Sequence, residues 1–377
     1  MRDLLPKMAL PPGQSSRMAE LMSFPNSEKI YAGTKPVEDR HRFDETAVAS
    51  WMASNVAEYA GPLTVCQFKG GQSNPTYRLD TPSCSYVMRR KPPGKLLPSA
   101  HAVDREYRVI SGLHRIDFPV ARPYGLCSDE TVLGTMFYIM SMEEGRVFWD
   151  GALPDLTREE RRAVYTSEIE VLAKLHDYDP DDIGLGDFGR SGNYCARQVD
   201  RWIKQYRASE TGRIEHMERL IEWLPRTIPV QERTSLVHGD YRLNNMIFHS
   251  TEPRVRAVLD WELSTLGDPL ADFANLMISW VLPYDGRAML GGLDLASLGI
   301  PTMDEAIGIY CKASNRADIP NLNWYFAYNL FRLAAIMQGI AGRARDGTAS
   351  SPRAVEEGKT AAPLAAVAWE YAEKVGA

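Results

Sequence analysis

From Asp44 onward the chain shifts between two rhythms of apolar and polar positions. Val48, Trp51, Met52 and Val56 recur at helical spacing behind Asp44, which predicts a helix with Asp44 as its cap. "CQFKGGQSNPTYRLD" then reads as strand, glycine turn and strand, and "SYVMRRK" (85–91) as a further short strand ended by "KPPGK". "SAHAVDREYRVISGLH" returns to the helical period, with Ser99 as cap and Val103, Tyr107 and Ile110 on one face. "ARPYGLCSDETVLGTMFYIMSM" predicts a hairpin turning at Asp129-Glu130. The first part is thus a small sheet carrying one helix, an α+β pattern.

Beyond Gly145 the rhythm is mostly helical. Arg158 to His176 and Gln198 to Leu224 read as long amphipathic helical stretches. Two short strands, near 246–249 and 255–259, interrupt this pattern, and helices resume from Leu270 to the end. Gly291-Gly292 and "RDGTASSPR" read as loops. Residues 1 to 40 show no sustained period and are expected to form an extension draped over the body. No internal repeat or low-complexity tract is evident.

Composition narrows the classes. At 377 residues the chain can form about two domains or lobes, and 44% hydrophobic with 24% charged residues is ordinary for a globular protein. A net charge of −6 argues against a nucleic-acid partner, which would be met by a basic surface. Five dispersed cysteines, with no C-x-x-C pair, suggest neither a zinc site nor a disulfide framework; a reducing cytoplasm fits best. No run of about 18 apolar residues and no N-terminal apolar region occurs, so neither membrane spanning nor secretion is expected.

The chemistry concentrates in "LVHGDYRLNNMIFH" (236–249), where polar groups sit between two apolar runs. A short loop between buried strands can hold such groups rigidly. Asp240 offers a carboxylate able to accept a hydroxyl proton. Asn245 offers an amide oxygen suited to a hard divalent cation, and Arg242 a fixed positive charge for phosphate oxygens. Twenty residues past Asp240, Asp260 follows the apolar strand Ala257-Val258-Leu259 in "RAVLDWELSTLGD" and supplies an anionic ligand that Asn245 lacks. An aspartate base, an asparagine and a second aspartate are the parts needed to move a phosphoryl group.

"HGDYRLNN" followed by "LDWE" resembles the aminoglycoside-phosphotransferase and choline-kinase group of small-molecule kinases. The likeness covers roughly residues 44 to 345. "FKGGQSNPTYRL", "YVMRRKPPGKLLPSAHAVDREYRVI", "GTMFYIMSMEEGRVFWD" and "LDWELSTLGDPLADFANL" are similar, more narrowly, to the kinase-like domain fused to acyl-CoA dehydrogenases in animals, which has free-standing bacterial relatives. The resemblance implies a two-lobed protein-kinase-like fold: an extension (1–43), a small antiparallel-sheet lobe covering the nucleotide (44–142), and a mostly helical lobe with the catalytic loop and substrate site (143–377). It implies Asp240 as base or hydroxyl-orienting carboxylate, Asn245 and Asp260 as Mg²⁺ ligands, and Arg242 near the γ-phosphate. Gly70, Gly71, Gln72 and Ser73 would form the turn over the ATP phosphates. The usual strand lysine is replaced by Arg89 or Arg90, of which strand alternation lets only one face the site, and Glu106 would pair with it. Met140, Ser141 and Met142 would line the hinge beside the purine.

The implied reaction is Mg²⁺-dependent transfer from ATP to an alcohol. The resemblance points to the hydroxyl of a hydroxyacyl-CoA, in particular 4-hydroxyacyl-CoA, and to a functional link with an acyl-CoA dehydrogenase. Aminoglycosides or amino alcohols are alternative acceptors, and a pseudokinase without turnover is the alternative of another class. No "APE"-type segment follows Asp260, which leaves protein phosphorylation a weaker option. Several residues have plainer readings. His238 is expected to hold the loop, His176 to cap or pack, Asp268 to cap the helix starting at Pro269, and Asp272 to anchor the catalytic loop from below. Glu106 alone could be a solvated salt bridge, Gly70-Gly71 a hairpin turn, and Arg332 and Arg343 structural arginines or contacts to an acidic substrate. The role of Glu262 is open. Trp280, Tyr284, Trp324, Tyr325 and Tyr328 are aromatic enough to meet an acyl chain or a sugar.

Overall fold

The alternation of the small sheet decides which side chains reach the interior of the molecule and which reach the cleft. In the computed structural model, which describes residues 32–69, 74–92, 102–349 and 353–377, strand β4 sends Tyr86 and Met88 to one face and Val87 and Arg89 to the other. The sheet contains β1 (Thr34–Lys35), β2 (Thr64–Phe68), β3 (Thr76–Asp80), β4 (Ser85–Arg90), β5 (Pro123–Cys127) and β6 (Phe137–Ser141). Its order is β1-β2-β3-β4-β6-β5, antiparallel throughout. Helix α1 (Glu45–Asn55) is capped by Asp44, whose side chain accepts from the amides of Thr46 and Ala47. It lays Val48 and Met52 on Tyr77, Leu79, Tyr86 and Met88, forming a separate core for the small lobe. Helix α2 (Val103–His114) crosses the other face and joins the main core through Val109, Ile110 and Leu113.

Two expectations change here. Ser99 and Gly70 to Ser73 lie outside the described residues, as does the segment 1–31; α2 begins at Val103, with no side-chain cap at Ala102. The 129–130 turn is a helical turn, α3 (Glu130–Leu133), capped by Asp129 and closed by Gly134 at φ 76°. A left-handed residue there suits glycine.

The large lobe is built on α4 (Arg158–Asp177), α5 (Tyr194–Ser209), α6 (Glu215–Trp223), α7 (Pro269–Val281), α8 (Leu295–Leu298), α9 (Met303–Ala313), α10 (Leu322–Arg345), α11 (Ala354–Gly358) and α12 (Ala361–Glu373). Helix α4 starts at a capping box of Thr157 and Glu160. The amphipathic stretch over 198–224 is divided between two helices, α5 and α6. The chain turns between them at 210–214, where Gln338 holds the Ser209 carbonyl and the Thr211 hydroxyl. The apolar period survives such a turn, so periodicity alone did not reveal it. Helix α10 runs through the lobe, packed by α5, α7, α11 and α12.

Four short strands pair off. β7 (Ser235–Val237) pairs antiparallel with β10 (Thr265–Gly267), and β8 (Met246–Phe248) with β9 (Val255–Val258). β10 was not expected from sequence; three residues are too few to show a period. Among the described residues, no helix is long and apolar enough to cross a membrane.

Candidate active site

The loop 238–245 leaves β7 and enters β8, and the β8–β9 register determines what it meets. Met246 lies opposite Val258. One step further, the Leu259 amide donates to the Asn245 carbonyl at 2.8 Å. Asn245 therefore stands beside the end of β9, where Asp260 turns the chain at φ 65°. Asn245 Nδ2 donates to the Asp240 carbonyl at 2.9 Å and to Asp240 Oδ2 at 3.0 Å. With the amide nitrogen so used, the amide oxygen is left for the cleft, which Asn245 and Asp260 both line. Asp240 is held beside that lining, its Oδ2 also 3.2 Å from Arg242 Nη2.

Burial rigidifies the loop from beneath. Asp272 Oδ2 and Oδ1 accept the backbone amides of His238 and Gly239 at 2.7 and 2.9 Å. His176 Nε2 reaches the same carboxylate at 3.2 Å, and its Nδ1 meets the Tyr310 hydroxyl at 2.7 Å. Burial alone would push the Asp272 carboxyl up; the hydrogen bond from His176, its charge, and the loop's amides bring it below the usual range. His238 Nε2 lies 2.8 Å from the Leu259 carbonyl, and its Nδ1 accepts the Asp240 amide at 3.2 Å. Both ring nitrogens are thus spent on backbone. Arg332 Nη2 donates to the Gly239 carbonyl at 2.7 Å. Gly239 sits at φ 84°, and a Cβ there would meet the Leu263 carbonyl oxygen at 3.0 Å, so only glycine suits the turn. The supporting placements expected for His238 and Asp272 are those observed. Asp268 caps α7, donor to its Oδ1 being the Leu270 amide.

The small lobe supplies the opposite wall. Arg89 Nε lies 3.0 Å from Glu106 Oε2, close as charges though not aligned as a hydrogen bond, and Arg89 Nη2 lies 3.5 Å from Asp260 Oδ1. Arg90 turns away to the Thr135 hydroxyl and the Leu133 carbonyl, both at 2.9 Å. Of the two arginines, it is Arg89 that borders the cleft. Glu106 is 1% exposed and accepts from Asn74 Nδ2 and the Tyr138 hydroxyl, each at 3.0 Å, so it is no solvated surface charge. Burial raises the Glu106 carboxyl, and the Arg89 charge and these hydrogen bonds oppose that rise. Burial disfavours charge on Arg89 too, but Glu106, Asp260 and Glu262 outweigh it and keep the guanidinium charged.

Between the walls lies a cleft of about 410 Å³. Arg89, Met140, Ser141, Met142, Asn245 and Asp260 all border it, as does Glu262, whose Oε2 lies 4.0 Å from Arg89. The donor set of one carboxylate and one amide oxygen fits a hard cation such as Mg²⁺, which takes few protein ligands and leaves the rest to phosphates and water. Asn74 and Tyr138 are partners of the site that the sequence did not disclose, because each reaches it through a contact between distant positions; Arg332 takes the structural role that was one of its two readings. The aromatic expectation is corrected: Trp280, Trp324, Tyr325 and Tyr328 are buried in the main core, and Tyr284 bonds Asp150 at 2.9 Å. The four buried rings pack the lobe.

Residues 64–306 match the model of the phosphotransferase enzyme family. A candidate aminoglycoside phosphotransferase from Ralstonia eutropha has a solved structure that is 50% identical, covering 88% of this chain and 99% of its own, with a TM-score of 0.81. Acyl-CoA dehydrogenase family member 10 of Mus musculus is 41% identical over 373 residues, 98% of this chain but 35% of that protein. Human family member 11 is 39% identical over 341 residues, 89% of this chain and 44% of that protein. The chain thus spans less than half the length of these curated relatives. A spectinomycin phosphotransferase solved with ADP and spectinomycin shares the fold at 13% identity, covering 90% of this chain and all of its own, with a TM-score of 0.59. The α+β, two-lobed kinase-like architecture and the resemblance drawn from the motifs are both upheld, and the chain belongs to the phosphotransferase enzyme family.

Proposed function

We propose that this protein is an ATP-dependent small-molecule kinase that phosphorylates the hydroxyl of a hydroxyacyl-CoA, in particular a 4-hydroxyacyl-CoA. The observation that carries the kinase reading is the meeting of Asp240, Asn245 and Asp260 at the edge and floor of one interlobe cleft. In this reading Asp240 orients the acceptor hydroxyl and receives its proton. Asn245 fixes the Asp240 carboxylate from one side and offers its amide oxygen, with Asp260, to Mg²⁺. The cation, when bound, neutralises charge on the phosphates. Arg89 meets phosphate oxygens as a bidentate cation, held in position by Glu106. Arg242, exposed beside Asp240, faces the transferred group. Met140, Ser141 and Met142 border the base, and Gly70, Gly71, Gln72 and Ser73 are assigned to the phosphates on the motif alone. Positioning and electrostatics supply the acceleration.

The acyl-CoA acceptor is supported by the names of the relatives and by the motifs shared with them. The same support suggests that the product passes to an acyl-CoA dehydrogenase. The test is a screen of hydroxyacyl-CoAs, aminoglycosides and amino alcohols with Mg-ATP, read by mass spectrometry for a gain of one phosphoryl group. Phosphorylation of hydroxyacyl-CoAs is expected. Turnover only on aminoglycosides or amino alcohols would overturn the acceptor, and turnover on nothing would overturn the kinase reading.

A further inference from the structure

A second groove, of about 420 Å³, runs between α5 and α10. It begins one helical turn beyond Arg332, whose guanidinium is already bound to the catalytic loop at Gly239. Along α10 the line continues through Ala335, Gly339 and Arg343. Arg343 lies 11 residues past Arg332, close to three full helical turns, so the two project from the same stripe about 16 Å apart. The floor is apolar and low. The Gly342 backbone approaches Ser209 of α5 so closely that a Cβ would meet its Cβ at 3.0 Å, and Arg343 Nη1 lies back over Gly339.

Charge gives the groove its character. Trp202 forms one wall, with the guanidiniums of Arg201 and Arg332 at 5.8 and 5.7 Å from its ring. Among the described residues, Arg201, Arg332 and Arg343 have no carboxylate within ion-pair distance; Arg332 is held instead by the Gly239 carbonyl. The acid at the groove's far end, Asp346, is taken by Arg345 at 2.8 Å. Three uncompensated guanidiniums in a chain of net charge −6 make a local attraction for an anion, and guanidinium geometry suits phosphate. The same guanidiniums disfavour a polycationic amino sugar along this path.

We propose that this groove receives the tail of the acceptor. The acceptor is then an elongated acyl thioester: its hydroxyl lies at the catalytic loop, its uncharged arm on the apolar floor, and its phosphate-bearing end at Arg343 and Arg201. This rests on the kinase reading for the direction of the acceptor, but binding in the groove does not require turnover. The experiment is calorimetric titration of coenzyme A into protein saturated with Mg²⁺ and a non-hydrolysable ATP analogue. The analogue occupies the interlobe cleft, so the adenosine part of coenzyme A cannot report from there.

Wild-type protein is expected to bind. R343E and R201E should each weaken binding at least about tenfold, R343Q less, and all should keep wild-type affinity for the analogue. Absence of binding to the saturated wild type, or unchanged binding in both reversed-charge variants, overturns the proposal. Coenzyme A binding that follows this pattern in a protein that phosphorylates no hydroxyacyl-CoA would uphold the groove and overturn the acceptor assignment instead.

Discussion

Two regions beneath the catalytic loop each bury a carboxyl group, and they are built in opposite ways. On the α7 side, Asp272 is 4% exposed and accepts two loop amides and the His176 imidazole. On the α4 side, Glu168 is 1% exposed, and neither of its oxygens has a hydrogen-bond partner among the described residues. Its backbone carbonyl meets the loop, accepting the Tyr241 hydroxyl at 2.7 Å. The two acids differ accordingly: Asp272 is held below the usual carboxylate range, and burial pushes Glu168 up to about 8. Depth alone does not set the behaviour of a buried acid; the donors supplied to it do. The partnered acid holds the loop's amides in place. The bare one is protonated near neutrality and acts as a polar filler in an apolar wall.

The sharpest test of this contrast is removal of the partnered acid. Asp272→Ala leaves two buried amides and an imidazole without their acceptor. A loss of about 3–5 kcal/mol in unfolding free energy is expected from breaking such a buried pair, read as a lowered denaturant midpoint. A variant as stable as wild type would mean that the Asp272 network supports nothing. The sign with pH follows from the lowered carboxyl. The contribution of Asp272 is present above the unfolded-state value and is lost as pH falls through the folded one.

Asp240→Ala comes next in size and should separate support from chemistry. Asp240 is about one-third exposed and receives its contacts from Asn245 and Arg242, so the fold does not depend on it. Turnover should fall at least about 10²-fold, the range for loss of a general base, with an unchanged melting temperature. Retention of wild-type phosphoryl transfer would refute the assigned role.

These two variants also mark what the sequence could disclose. Asp240, Asn245 and Asp260 were legible because a loop between two apolar runs and an acid after the next strand form a local pattern. The β8–β9 register then brings them together over only 20 residues. Asp272 was legible as a support because it stands in the first turn of a helix beginning at Pro269. The long helices and the strands of the small sheet followed from their periods. What was hidden depends on contacts between distant positions. The turn between α5 and α6 is set by Gln338 on α10, and the Glu106 partners Asn74 and Tyr138 lie 32 residues to either side of it. The burial of Trp324, Tyr325 and Tyr328 comes from the long helix α10 lying at the centre of its lobe, a tertiary fact that an aromatic count does not contain.

The most gradual effect belongs to the bare acid, and its sign is opposite. Glu168 lies near Tyr165 and Tyr241, whose hydroxyls burial keeps un-ionised, and no cation among the described residues offsets its charge. Its ordinary value near 4.5 applies to the unfolded chain, and about 8 to the folded one. Between those limits the folded protein holds a proton that the unfolded chain releases. Stability therefore falls as pH rises across that window, at a slope of up to about 1.4 kcal/mol per pH unit. Glu168→Gln preserves shape and neutrality but cannot ionise. It should match wild type near pH 5 and exceed it progressively toward pH 8, an advantage of order 1 kcal/mol for each unit. Denaturant melts of the two proteins at pH 5, 6.5 and 8 measure this directly. Parallel curves would show that Glu168 is charged and partnered in solution, by water or by a shift of Tyr241, and the contrast with Asp272 would then be one of partner identity rather than of partner supply.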